Sequence, residues 1–188
     1  MALIFSLLLI LLSIPLQAND NSAQEKAEQL LAAANEHLQK SEYQDALNNY
    51  SEALKLFEQN KSSKGIADSS YGMGKVYEKL SEYEKGVVVL RKALSLHEQL
   101  GDHKAVGLDL NQLASIEMRR ANYAEVQTLT QKAIEIHERV ENKAGLSEAL
   151  WIQGRNFLNT GNASKALELG QRALILAEET ADRKGMIL

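Results

Sequence analysis

The chain has 188 residues and a formal charge of −4, with 45% hydrophobic, 24% charged and 5% aromatic residues, one proline and no cysteine. Disulfide scaffolds and thiolate metal sites need cysteine, and collagen-like or proline-rich segments need proline, so these classes are excluded. The hydrophobic share argues against intrinsic disorder, and the mildly acidic balance offers no phosphate-neutralising footprint, which sets nucleic acid aside as a partner.

Residues 1 to 18, MALIFSLLLILLSIPLQA, carry no charged side chain. An apolar run from Leu3 to Ile14, then Pro15 and the small Ala18, predicts a secretory signal cleaved after Ala18; a retained anchor is the competing reading. Either reading places the remainder outside the cytosol, exported to the periplasm or the extracellular space, free or anchored to a membrane. No cysteine follows Ala18 to carry a lipid or a disulfide. The lone proline lies in the leader, so nothing in the later chain interrupts helix.

After a lead-in at 19–26, the chain repeats every forty residues without insertion or deletion. Ala53, Ala93, Ala133 and Ala173 form one column, and Glu58, Glu98, Glu138 and Glu178 another. Leu54, Leu94, Ile134 and Leu174 are an aliphatic column, and Ala34, Gly74, Ala114 and Gly154 a small one. Four units follow, at 27–66, 67–106, 107–146 and 147–186, with 187–188 at the start of a fifth. Each reads as two helices. In the second unit these are 66 to 80 and 83 to 100, divided at Ser81-Glu82. Between units, Ser62, Asp102, Asn142 and Asp182 recur as predicted N-caps of the helix that follows. Gly72 and Gly74, inside a predicted helix, cost roughly 1 kcal/mol each against alanine and predict local looseness in the second unit.

No residue set points to catalysis, and no cofactor is implied. His97 and His137 share a column with Phe57 and Ala177, which no ligand site would tolerate, and successive units stand roughly 10 Å apart, too far to share a metal. The Glu58 column is four equivalent carboxylates rather than a dyad in unlike environments. No phosphate loop or strand accompanies the glycines. The expectation is a protein that is not an enzyme and holds no metal.

At these columns the chain resembles the tetratricopeptide repeat (TPR) family, in a forty-residue variant with an extended second helix. The small column at Ala34 and the columns at Ala46, Gly86, Val126, Ala166 and at Ala53 match that family's small positions; Val126 is large for its site, which suggests that the third unit packs wider. The resemblance implies an all-α fold, a right-handed superhelical α-solenoid of four helix-turn-helix units, with binding in the concave groove.

By the family's pattern the first helix of each unit turns its fifth, ninth, twelfth and thirteenth residues to that groove. These include Tyr71, Lys75, Glu78 and Lys79, then Asn111, Ser115, Met118 and Arg119, then Trp151, Arg155, Leu158 and Asn159. Lys75, Lys79, Arg119 and Arg155 make a basic stripe in a net-negative chain. One reading is a scaffold that binds a protein or an extended, acidic peptide, with Asn111 holding its backbone, Tyr71 and Trp151 gripping apolar groups and the cations meeting carboxylates. The other is that the cations are ordinary surface residues and Trp151 packs between units. The aliphatic stripe of the last helix, Leu167, Leu174 and Leu176, is expected to stay uncovered, which suggests a fragment of a longer protein. By resemblance, such an array behind a leader is also similar to the extracytoplasmic input region of a histidine kinase or diguanylate cyclase, with the membrane reached only through the leader or a missing C-terminal region.

Overall fold

The computed structural model describes residues 22 to 185, with side chains as far as Ala181; the leader lies outside the described residues. The described chain is helical throughout and contains no strand. In order the helices are α1 (22 to 39), α2 (Tyr43–Gln59), α3 (Ser63–Lys79), α4 (Tyr83–Leu100), α5 (His103–Arg119), α6 (Tyr123–Arg139), α7 (Lys143–Asn159) and α8 (Ala163–Gly185). None is long and apolar enough to cross a membrane.

Short turns explain the absence of insertions. Each turn places one residue in the left-handed region: Ser41, Lys61, Ser81, Gly101, Ala121, Glu141 and Gly161. The next residue donates its N–H to the carbonyl five residues back, as Glu42 does to His37 at 2.8 Å and Asn142 to His137 at 2.9 Å. That ring satisfies the carbonyls a helix end leaves open, at a cost of about 1 kcal/mol or more where the left-handed residue is not glycine. The predicted caps Asp102 and Asn142 accept from the N–H of Ala105 (3.0 Å) and Gly145 (3.2 Å), and Ser62 Oγ lies 3.4 Å from the N–H of Gly65.

Two expectations need correction. The first helix of the second unit, expected from residue 66, begins at Ser63, and its counterparts begin at His103 and Lys143, directly after Ser62, Asp102 and Asn142. Asp182, expected to precede a new helix, lies within α8, which runs on to Gly185. The lead-in at 19–26 is helical from residue 22.

The structure divides into two compact units within α3, Met1–Met73 and Gly74–Leu188. In the first, α1 and α2 close over Ala27, Ala53 and Phe57, with Leu30, Leu31, Leu56 and Ile66 packed against them. The Phe57 ring lies on Gly65, where a Cβ would come within 2.2 Å of it, and Tyr50 lies on Gly72 in the same way, at 2.3 Å. In the second unit each helix packs on its successor from α4 to α8, and α5 also packs on α7, the pattern of a solenoid built from helix pairs. Ala93 and Ala133 are fully buried, and Gly74 lies against Leu90 with only 2.4 Å for an added Cβ. Gly72 and Gly74 are therefore points of close approach, where the lack of a Cβ admits the Tyr50 and Leu90 side chains. Val126 is fully buried at its small-residue site.

Candidate binding site

The basic residues predicted to line a groove lie on first helices. Within the second unit Lys75 is half-buried, whereas Lys79, Arg119 and Arg155 are exposed. Lys79 and Arg119 end α3 and α5, where a cation also meets the negative end of the helix dipole. Arg119 Nε lies 3.9 Å from Glu78 Oε1. That carboxylate, mostly buried, also accepts from Ser115 Oγ at 2.7 Å and from Gln112 Nε2 at 2.6 Å. Glu78 is thus held by three side chains spaced along one face of α5, and it joins α3 to α5 rather than opposing the stripe. Lys79 and Arg155 have no hydrogen bond or ion pair among the described residues.

The other predicted contacts fall elsewhere. Asn111 is 1% exposed, and its Nδ2 donates to the carbonyl of Gly145 (2.9 Å) and to Glu148 Oε2 (3.2 Å), which pins α5 to α7. A ligand backbone cannot reach it, so the expected clamp is replaced by an internal one. Trp151 occupies the equivalent place one repeat on, but with no following helix among the described residues it is 57% exposed and lies against α8. Met118 is buried, with Asn159 Nδ2 3.3 Å from its sulfur. Tyr71 is half-buried on α3 in the first unit. At Asn111 the fifth position of a first helix faces the next repeat, a relation that column spacing does not distinguish from a groove-facing one.

No protein-family model matches the chain, and no curated protein does. Solved structures match well. BtubC (BKLC) from P. vanneervenii is similar over 82% of this chain and 64% of its own, at 17% identity and a TM-score of 0.73. Aspartyl phosphate phosphatase F from Bacillus subtilis is similar over 85% of this chain and 42% of its own, at 16% identity and a TM-score of 0.78. MamA is similar over 84% of this chain and 81% of its own, at 18% identity and a TM-score of 0.61. This is the tetratricopeptide-repeat fold. The chain spans less than two thirds of the first two proteins' own length, and at these identities the likeness extends to the TPR fold alone.

The histidine column of the TPR array is structural. His137, fully buried, lies between Gly107 and Gly145, each of which would place a Cβ within 2.4 Å of its ring. Asn142 Oδ1 is committed to the Gly145 N–H, which turns its Nδ2 donor toward His137 Nδ1 at 3.1 Å. Nδ1 must then accept, and only the neutral ring does so. Burial lowers the His137 pKa below its ordinary 6.5, opposed in part by the backbone of Gly107. The folded chain thus resists a proton that the unfolded chain takes up near 6.5, so this contribution is whole above that pH and is lost as pH falls below it. His137→Phe, copying Phe57 on Gly65, is expected to flatten the difference between urea midpoints at pH 7.5 and 5.5; an unchanged slope would refute a neutral His137.

At the other member of the column, Ala105 replaces the glycine, and His97 Nδ1 meets Asp109 Oδ2 at 2.6 Å with both side chains buried. His37 pairs with Glu42 near the surface. Glu58, Glu98, Glu138 and Glu178 are all exposed, and Glu138 pairs with Arg172 at 3.3 Å. No group of three or more potential metal ligands occurs among the described residues.

Proposed function

We propose that the chain is a non-enzymatic protein-binding module whose first-helix surface takes an extended acidic peptide. The observation that carries this reading is the run of exposed same-sign side chains, Lys79, Arg119 and Arg155, at recurring places on α3, α5 and α7 of a chain whose net charge is −4. A local positive stripe against an opposite overall charge draws in a complementary partner and disfavours a basic one. One feature favours a peptide over a small molecule: the three cations stand on successive first helices, α3, α5 and α7. Lys75, half-buried one turn before Lys79, adds to the same field.

The test is binding of a labelled glutamate-rich peptide and of a lysine-rich control. The acidic peptide is expected to bind, more weakly as salt rises, and the Lys79→Ala, Arg119→Ala, Arg155→Ala triple variant to lose about tenfold or more in affinity with unchanged helical content. Equal binding of both peptides, or a triple variant that binds like the parent, sinks the reading.

A further inference from the structure

The three exposed cations of the second unit stand at set intervals. Glu78 of α3 accepts from Gln112 and Ser115 of α5, and Asn111 of α5 donates to the Gly145 carbonyl on α7, so these first helices pack side by side. Packed helices lie about 9 Å apart, which is then the step from Lys79 to Arg119, since both hold the same place in the repeat. Arg155 stands one turn earlier in its helix, at the place of Ser115, on the same face but about 6 Å back along the axis. Across and back together, the step from Arg119 to Arg155 comes to about 11 Å.

The surroundings leave these cations to a ligand. Arg119 presents Nε to Glu78 at 3.9 Å, the longest contact of that carboxylate, which Gln112 and Ser115 already satisfy at 2.6 and 2.7 Å. A guanidinium carries five N–H donors in a fork, so donors remain for a carboxylate from outside. Beside Arg155, Met118 holds the place that Glu78 holds one repeat before, so a thioether, 3.3 Å from Asn159 Nδ2, replaces the carboxylate. The other acids of α5 and α7 are committed to their own neighbours: Asp109 to His97, Glu117 to Arg120 and Glu148 to Asn111.

Among extended conformations, these steps select one. A β-strand turns every second side chain to one face, at about 7 Å, or every fourth, at about 13 Å, and neither interval fits both steps. A polyproline II helix turns every third side chain to one face, at about 9 Å, within side-chain reach of both. We propose that the ligand, which rests on the acidic-peptide reading above, is a polyproline II segment with a carboxylate at every third residue, the central one on Arg119. Two nonapeptides of the same composition, both capped at their ends, test this. One has three Glu-Pro-Pro triplets; the other has three adjacent glutamates flanked by prolines, whose carboxylates point to three different faces. The triplet peptide is expected to bind the full chain about tenfold more tightly. Arg119→Ala, which leaves Glu78 its bonds from Gln112 and Ser115, is expected to weaken the triplet peptide, and to cost nothing further once the central glutamate is glutamine. Equal binding of the two nonapeptides, or an Arg119→Ala loss that persists with the central glutamine, overturns the register and leaves the acidic-peptide reading standing. Failure of both nonapeptides where the glutamate-rich peptide binds overturns the polyproline II partner, and failure of all three peptides overturns both readings.

Discussion

Asp109→Ala is expected to destabilise the second unit by about 3 kcal/mol, the scale for removing one partner of a buried charged pair. Asp109 is fully buried, and its Oδ2 stands 2.6 Å from His97 Nδ1, so the variant leaves the ring without that acceptor in a site closed to water. Asp109→Asn is the deciding control. It keeps an acceptor and removes the charge; a loss near 1 kcal/mol means a neutral hydrogen bond, whereas a loss near that of alanine means that the ion pair matters. Hydrogen exchange should localise the effect to α4 and α5, since stability in an array is a sum of neighbouring terms. Unchanged exchange there, with an unchanged urea midpoint, would show that the pair is dispensable.

Tyr50→Ala should cost the first unit about 3 kcal/mol or more, as truncations of buried aromatic residues do. The ring is fully buried over Gly72, and its hydroxyl donates to Asn35 Oδ1 at 2.7 Å. Tyr50→Phe retains the packing and should cost about 1 kcal/mol, the value of one hydrogen bond. Burial pushes the hydroxyl pKa up from 10.0 to about 12. The unfolded chain releases this proton near pH 10 while the folded chain holds it, so the contribution is whole below pH 10 and declines from there toward pH 12. Tyr50→Phe should therefore lose less stability than the parent between pH 8 and 11 in urea titrations; an equal loss would place the hydroxyl in water.

Much of this arrangement is legible in the sequence. The Ala53 column is buried because two helices approach there, and only a small side chain permits the distance. Ser62, Asp102 and Asn142 cap the helices that follow them, because a short acceptor one residue ahead of a helix lies within reach of its first free N–H groups. The histidine column was readable as structural from its tolerance of Phe57. The candidate binding residues were less legible. Asn111 and Trp151 hold the same repeat position, yet one is an internal clamp and the other lies half in water. The difference is in what covers them, and nothing local encodes that. Glu78 is likewise the one acid among the predicted lining residues, yet Gln112, Ser115 and Arg119, more than thirty residues away, surround it.

Periodicity, capping chemistry and the lack of proline after Pro15 determine, from the sequence alone, paired helices in a forty-residue array and which small residues lie between them. These are properties of a helix and its nearest turn, and they need no distant partner. Tertiary structure alone decided that Asp109 meets His97, that Asn111 pins α5 to α7, and that Gln112, Ser115 and Arg119 gather around Glu78. Each of those outcomes depends on which helix lies next to which side chain, and a column of equivalent positions does not encode that.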